Sequence, residues 1–299
     1  MNSLSKMILG TVQFGIDYGI SNTIGKTHSL EVKEILQYAS KQGINTLDIA
    51  PSYGNSESLV TDYISNYDKS NSWDVITKTP YFKGNEIDGR QIYKLIESID
   101  LLHKKIGKRS IYGLLVHNCD DLFLPGADNL MNTLECLKKE GIIKKIGVSV
   151  YNSQQIDYLL DNFSIDLIQL PINILDQRLI NDESLVKLKK HNVEIHARSV
   201  FLQGLLLMPI DTIPSWFNPI KDALKLFHKQ AKKQNLTKLQ LALGFVQSLT
   251  EIDKVVVGVD SLQQLREIID ASSVKVNTAE LSNIAINNSI FLNPSNWRV

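Results

Sequence analysis

Short apolar runs alternate along this chain with longer amphipathic segments, and the alternation restricts the folds that it can adopt. The runs are rich in β-branched residues, and some, such as LLV at 114–116 and VVV at 255–257, have no polar alternation. Strands that are buried on both faces of a parallel sheet are typical sources of such runs. We identify eight strand candidates, at 7–11, 45–50, 74–78, 111–117, 145–150, 166–171, 194–199 and 254–259.

The segments between these runs have the apolar spacing of amphipathic helices. Gly43 and Gly141 stand where helix C-caps are expected. Three segments are apolar at positions i, i+3, i+4 and i+7, namely at Val32, Ile35, Leu36 and Ala39, at Ile92, Leu95, Ile96 and Ile99, and at Ile156, Leu159, Leu160 and Phe163.

Eight strand–helix units predict an α/β fold of the closed (β/α)8 TIM-barrel type, as a single domain over residues 1–299. A doubly wound open sheet is the second interpretation. The longest interval between runs, 200–253, predicts a long loop between the seventh and eighth strands, followed by two helical segments. That loop would lie on the barrel face that carries function.

Charge and cysteine content narrow the classes of partner. Lys+Arg 32 equals Asp+Glu 32, and a net charge of zero gives no sign of a nucleic-acid or membrane-surface partner. No run reaches the roughly 18 apolar residues of a membrane span, and no signal peptide is recognisable. Two cysteines, Cys119 and Cys136, favour reduced thiols and a cytoplasmic location. Metal-ligand patterns are absent, so no metal is expected.

Three of the apolar runs end with an ionisable residue, and a barrel carries its chemistry at those carboxyl ends. The residues are Asp48, Lys78 and His117, and Tyr53 follows Asp48 in a loop of Pro, Ser and Gly. Each alone has an ordinary explanation, as a cap, a solvated charge or a packed ring. Four such residues converging on one rim indicate a shared site.

The chemistry of this set suits the protonation of an oxygen. A tyrosine, with a pKa of about 10, is a poor acid, and we expect the Lys78 cation to lower the pKa of Tyr53. Asp48 would keep Lys78 charged, and His117 could orient a carbonyl oxygen or help the proton move. A nucleotide would then supply hydride to the carbon. Cys119 lies two residues beyond His117 and is expected to be a bystander, with a thiol nucleophile as the alternative.

In its motifs the chain resembles an aldo-keto reductase. The matching segments appear in the family's order and cover nearly the whole chain: LGTVQFG at 9–15, GINTLDIAPSYG at 43–54, ITKT at 76–79, LLVH at 114–117, IGVS at 146–149 and IQLPIN at 168–173. The resemblance implies an NADP(H)-binding barrel that transfers hydride to or from a carbonyl carbon. It makes Tyr53 the general acid, tuned by Lys78 and Asp48, with His117 orienting the substrate.

The resemblance also implies a set of cofactor-binding positions. The resemblance favours NADP(H). NAD(H) is possible, because Gln264 stands where many members have a basic residue for the 2′-phosphate, although Arg266 could supply a contact to that phosphate. The predicted cofactor-binding residues are Thr11, Asp48, Ser149, Gln169, Arg198, Ser199, Gly204, Leu205, Gly258, Ser261, Gln264 and Glu267.

For the substrate we expect a small-molecule carbonyl compound, polar and sugar-like, with Asn118 and Trp216 as substrate-contacting residues. Arg198 brings a fixed cation to a rim otherwise lined by Asn173, Gln203 and few aromatic rings, although it could instead serve the cofactor or the fold.

The loops resemble a bacterial branch associated with surface-polysaccharide or unusual-sugar biosynthesis. A nucleotide-binding barrel with a regulatory or scaffold role is the alternative function. The aromatic tail at 291–299 could cover the barrel mouth or pack on an outer helix.

Overall fold

Eight parallel strands close into a barrel, because each strand pairs with the next and β8 pairs with β1. A computed structural model describes residues 3–68 and 73–298. The predicted closed barrel is therefore confirmed, and the open-sheet alternative is wrong. Every predicted run overlaps a strand, and only β5 begins before its run, at Ile143. The strands are β1 (Met7–Gly10), β2 (Thr46–Asp48), β3 (Asp74–Lys78), β4 (Ile111–Val116), β5 (Ile143–Ser149), β6 (Leu167–Pro171), β7 (Glu194–Arg198) and β8 (Lys254–Gly258).

Helices connect these strands. The described α-helices are α1 (Val12–Gly15), α2 (Ser29–Lys41), α3 (Ser56–Asn66), α4 (Gly89–Lys105), α5 (Ala127–Lys139), α6 (Ser153–Asn162), α7 (Arg178–Asn181), α8 (Ser184–Lys190), α9 (Lys221–Lys233), α10 (Lys238–Gln247), α11 (Leu262–Ala271) and α12 (Ser289–Leu292). Short 3-10 helices cover Ser3–Lys6, Cys119–Phe123, Leu205–Leu207, Ile210–Thr212, Ser215–Ile220, Leu281–Ile284 and Pro294–Asn296. Among the described residues, no helix combines the length and the apolar character that crossing a membrane requires.

The apolar spacing located the buried helix faces with one exception. All four residues predicted in α2 are buried, and α6 buries Ile156 and Leu159. In α4, however, Ile96 is 39% exposed, because Leu102 completes the buried stripe through Leu95 and Ile99. The two predicted C-cap glycines do follow α2 and α5, where the chain needs a left-handed φ of +83° at Gly43 and +74° at Gly141.

The barrel interior is apolar in its middle, with polar side chains toward the amino ends of the strands. Ile8, Ile76, Leu115 and Leu167 form a small buried cluster from four strands. Near the amino ends of the strands, the Glu194 carboxylate accepts a hydrogen bond from the Tyr112 hydroxyl at 2.8 Å and pairs with Lys145 and His196; the His196 Nε2 lies 2.5 Å from Oε1. Although burial raises the pKa of Glu194, the hydrogen bonds from His196 and Lys145 bring it down to about 2.

The predicted long loop follows β7 and leads into α9 and α10. The chain after α11 packs against this loop, since the Trp297 ring lies 4.8 Å from Phe217 and the Phe291 ring 6.1 Å from Trp216, centroid to centroid. The Ile286 amide also donates to the Leu175 carbonyl in the loop after β6, at 2.9 Å. The tail thus braces the loops that follow β6 and β7.

Candidate active site

Asp48 and Lys78 end the neighbouring strands β2 and β3, and their side chains form a buried ion pair. Lys78 Nζ lies 2.6 Å from Asp48 Oδ1 and donates to the Ile49 carbonyl at 3.2 Å. The second carboxylate oxygen, Oδ2, accepts from Gln169 Nε2 at 2.8 Å. Burial lowers the pKa of Lys78 below its ordinary value, and the charge and hydrogen bond of Asp48 offset only part of that shift.

Two glycines place Tyr53 beside this pair. A Cβ on Gly15 would lie 1.7 Å from the Tyr53 carbonyl oxygen, and one on Gly54 would lie 2.3 Å from the Gly15 oxygen. Gly54 also has a φ of +58°. The turn that carries Tyr53 can therefore pack against α1 only because both positions lack a side chain.

Thr11, a predicted cofactor residue, is fully buried beneath the same turn. Its hydroxyl donates to the Asp48 carbonyl at 2.9 Å and accepts from the Ser56 hydroxyl at 2.7 Å. With both roles filled by the protein, the side chain of Thr11 ties β1 to the turn of Tyr53.

The ring of Tyr53 lies between the lysine and the histidine. Lys78 Nζ is 4.9 Å from its centroid, and the His117 ring is edge-on at 6.2 Å. Burial, followed by the charge of Asp48, raises the pKa of Tyr53 well above 10. The predicted lowering is therefore wrong for this arrangement, because burial and the negative charge of Asp48 both favour the neutral phenol. Tyr53 holds its proton firmly.

His117 follows β4 and is neutral. Burial, and then the charge of Lys78, lower its pKa to about 3. Its Nε2 lies 3.3 Å from the Tyr81 hydroxyl, the two rings stack at 4.5 Å, and the backbone amide donates to the Thr79 hydroxyl at 3.1 Å. The buried Nδ1 has no partner among the described residues. A neutral imidazole of this kind can donate a hydrogen bond to a carbonyl oxygen but does not act as a cationic acid.

Arg198 ends β7 and points its charge into a group of tyrosines. The guanidinium donates to the Val150 carbonyl at 3.1 Å and the Ser199 hydroxyl at 3.3 Å, and its carbon lies 4.3 Å from the Tyr151 ring centroid. Within residues 3–68 and 73–298, no carboxylate forms a salt bridge with it. Burial raises the pKa of Tyr18, and the charge of Arg198 offsets part of that shift.

Sequence reasoning missed three of the tyrosines at this rim. Tyr18, Tyr81 and Tyr151 follow β1, β3 and β5, and Tyr18 and Tyr81 interact electrostatically with both Arg198 and Tyr53. The expectation of few aromatic rings in the rim loops is thus wrong. Their positions shortly after the strand ends could have indicated that they lie at the rim, but only the loop conformations bring them together.

The loops after β1 and β7 meet across the rim. Gln203 Nε2 donates to the Tyr18 hydroxyl at 3.2 Å, and the Ile20 amide donates to the Gln203 carbonyl at 3.1 Å. A Cβ on Gly204, where φ is +88°, would lie 1.8 Å from Ser21 Oγ. Two predicted cofactor residues flank this contact: Ser199, with a φ of +60°, and Leu205, which is fully buried.

The remaining predicted cofactor residues surround the junction of β8 and α11. Ser261 caps α11, accepting from the Gln264 amide at 3.2 Å, whereas Glu267 is exposed and accepts from Gln263 at 2.9 Å. The Gln13 side chain covers Gly258, where a Cβ would lie 2.4 Å from its Nε2. Buried Gln13 Oε1 has no partner in the described part of the chain.

These residues fit a nicotinamide dinucleotide. Ser149, the last residue of β5, and Gln169, within β6, are register partners, and both are buried. They offer a hydroxyl and an amide oxygen, which match a primary carboxamide that needs an acceptor and a donor. The orphaned atoms of His117 and Gln13 lie after β4 and β1 and add unused hydrogen-bonding capacity at this rim.

Three residues predicted to line the substrate pocket are used by the fold. Asn118 caps a turn, accepting from the Asp120 amide and donating to Asp121 at 3.0 Å. Trp216 packs on Phe291 of the tail. Asn173 is fully buried and donates to the Ser199 carbonyl at 3.2 Å, so it ties the loops after β6 and β7 together and does not line a pocket, contrary to prediction.

The bystander interpretation of Cys119 fits its surroundings. The thiol is buried, and burial, aided by Asp120 and Asp121, raises its pKa to about 12. Such a thiol is a poor nucleophile. Over the described ranges, no three His, Cys, Asp or Glu side chains lie together as a metal site would require.

Comparison with known proteins extends these observations. The model of the aldo/keto reductase family matches residues 6–288. The chain is 27% identical to the uncharacterized oxidoreductase YqkF of Bacillus subtilis, over 93% of this chain and 94% of that protein. It is 26% identical to the NADH-specific methylglyoxal reductase of Escherichia coli, over 93% of each.

Among solved structures, the fold is similar to that of the aldo-keto reductase AKR11C1 from Bacillus halodurans in its holo form. The TM-score is 0.71 at 20% sequence identity, over 93% of this chain and 90% of that one. At this identity the likeness speaks for the fold.

Proposed function

The chain belongs to the aldo/keto reductase family of oxidoreductases, and from that premise we propose that it reduces the carbonyl group of a small polar substrate with Tyr53 as general acid. The observation that carries the proposal is the arrangement of Tyr53 beside the buried Lys78–Asp48 pair and the neutral His117. When bound, a reduced nicotinamide dinucleotide supplies the hydride.

The protein's own residues would position the substrate and deliver the proton. His117 donates a hydrogen bond to the carbonyl oxygen, and Tyr53 transfers its proton to that oxygen as negative charge develops there. A raised pKa suits this role, because the phenol stays protonated until a much stronger base, the substrate alkoxide, forms beside it. Lys78 then faces the phenolate, and Asp48 keeps the lysine in place.

The substrate class we propose is a carbonyl compound that carries an anionic group or several hydroxyls. Support comes from Arg198, whose charge is not matched by a described carboxylate, and from the phenol groups of Tyr18, Tyr81 and Tyr151 around it. One relative is described as a methylglyoxal reductase, which is consistent with a small oxygen-rich substrate. The association with surface polysaccharides remains a prediction from the loop sequences.

The cofactor choice has arguments on both sides. The sequence resemblance favours NADP(H), whereas Gln264 in place of a basic residue and the NADH-specific relative leave NAD(H) open. The carboxylates around the start of α11, Glu31 and Asp260, add weight to NAD(H).

Single-turnover oxidation of bound NADH or NADPH against a panel of carbonyl compounds tests the proposal against the scaffold alternative. We expect oxidation by at least one small polar carbonyl compound. A protein that binds the dinucleotide but oxidises it with no member of the panel would instead be a regulatory or scaffold barrel.

A further inference from the structure

The amino end of α11 is capped by protein groups before any ligand arrives. Its first backbone amide, that of Leu262, donates to Glu31 Oε1 at 2.6 Å, and the third, that of Gln264, donates to Ser261 Oγ at 3.2 Å. A helix amino end attracts anions through its free amides and its dipole. Here a carboxylate from α2 already takes that place.

A second carboxylate lies one residue before the cap. Asp260 is 9% exposed, and its oxygens accept from Asn22 Nδ2 at 3.3 Å and Gln264 Nε2 at 3.4 Å. Gln264 in turn accepts from the Asp260 amide at 2.8 Å. The partners of Asp260 are thus neutral amides, which leave its negative charge uncompensated.

Cations do not offset these two charges. Neither Glu31 nor Asp260 forms a salt bridge with any lysine or arginine among the described residues. The one basic residue of α11, Arg266, lies in the second turn with its guanidinium carbon 5.2 Å from the Tyr38 ring centroid. Two carboxylates without a salt-bridge partner in the described part of the chain therefore lie at the junction of β8 and α11.

On the proposed function, this junction faces the adenosine end of the dinucleotide, in keeping with the general placement of phosphate sites after the last two strands of a barrel. NADP(H) differs from NAD(H) only by a 2′-phosphate, which a carboxylate repels; a carboxylate accepts a hydrogen bond from a free 2′-hydroxyl. We propose that Glu31 and Asp260 make this protein select NAD(H) over NADP(H).

Titrating NADH and NADPH into the full-length protein, with binding followed by calorimetry, tests this selection without turnover. We expect NADH to bind at least about tenfold more tightly, a difference of ~1.4 kcal/mol. Glu31→Gln and Asp260→Asn keep the hydrogen-bonding shape and remove a charge, so each should tighten NADPH binding several-fold while NADH binding changes little. Asp270→Asn, an exposed site at the far end of α11, removes the same charge and should change neither.

Competition with 2′,5′-ADP and 5′-AMP gives a second readout that isolates the phosphate. Equal or tighter binding of NADPH by the unaltered protein would overturn the inference, as would an unchanged NADH-to-NADPH ratio in both charge-removing variants. Binding of neither dinucleotide would overturn the proposed function itself, and the inference with it.

Discussion

Asp48 joins Lys78 to Gln169 through a single buried carboxylate, with the lysine nitrogen 2.6 Å from one oxygen and the amide nitrogen 2.8 Å from the other. The Asp48 side chain therefore positions both Lys78, which lies beside the Tyr53 ring, and Gln169, whose amide could bind a carboxamide. If Tyr53 delivers the proton and Gln169 holds the carboxamide, as we propose, Asp48 couples proton delivery to cofactor placement, and its loss should disturb both.

Replacing Tyr53 by phenylalanine removes the proposed acid and little else. We expect Tyr53→Phe to lower turnover by at least about 10²-fold, the usual contribution of a positioned acid, with unchanged dinucleotide binding. Steady-state kinetics and a binding titration measure the two effects. Tyr93→Phe, at an exposed position of α4, is the matched control. Near-normal turnover in Tyr53→Phe would rule out its role as the acid.

The buried ion pair should be energetically coupled. Lys78→Met alone leaves Asp48 buried with Gln169 as its remaining side-chain partner, and an uncompensated buried charge costs roughly 3–5 kcal/mol. Asp48→Asn should be costly for the same reason. The double variant should be less destabilised than the sum of the two, as measured by urea unfolding of all four proteins. Strictly additive losses would mean that the charges do not stabilise one another. Activity should be lost in all three variants.

The strand ends were predictable because a buried parallel strand must be apolar, which makes Asp48 and Lys78 conspicuous where the runs stop. The direction in which the pKa of Tyr53 shifts was not predictable, since it depends on the burial of the phenol and on the charge of Asp48 beside it, and both are set by the folded structure. Distance along the chain hid the contact between Glu31 and Leu262, which are 231 residues apart.

Loop conformation was the other feature that could not be predicted from the sequence. Nothing local to Tyr18 predicts that it meets Gln203, because that contact requires left-handed φ values at Gln203 and the neighbouring Leu202, at +52° and +49°. Residues such as Leu202 seldom adopt that conformation. Asn173 was misjudged for a related reason, since its side chain holds two loops whose separation in space the sequence does not reveal.

Protonation of His117 should oppose folding. Its pKa is lowered to about 3 in the folded protein from an ordinary value of 6.5, so the unfolded chain binds a proton first as pH falls. Stability from this group is complete above about pH 6.5 and declines between there and pH 3. We expect His117→Gln to lose less stability than the unaltered protein between pH 7 and 4.5, as measured by urea unfolding. An equal loss in both would contradict the buried neutral imidazole.

Glu194 should stabilise the end of the barrel opposite the candidate active site, near the amino ends of the strands. Its pKa is about 2 when folded against an ordinary 4.5, so its contribution is present above pH 4.5 and disappears as pH falls through about 2. Glu194→Gln should cost about 3 kcal/mol of unfolding free energy at pH 7, from 1.36 kcal/mol per pKa unit, and much less near pH 2. Glu140→Gln, at the exposed end of α5, should cost little at either pH. Equal losses for the two variants at pH 7 would argue against the buried network.

Arg198 should discriminate between substrates by charge and hydroxyl content. Its guanidinium is held by the Val150 carbonyl and the Tyr151 ring and is paired with no described carboxylate, so a substrate anion would find its cation already oriented. We expect Arg198→Ala to raise KM for an anionic or sugar-like carbonyl compound at least several-fold more than for a small neutral aldehyde. Arg198→Lys keeps the charge but loses the planar guanidinium group, so its KM for the anionic or sugar-like compound should lie between those of the unaltered protein and Arg198→Ala. Dinucleotide titration tests the alternative that Arg198 contacts the cofactor. In that case both Arg198 variants would bind NADH more weakly than the unaltered protein. Equal losses on both substrates would remove the chemical basis for a polar substrate.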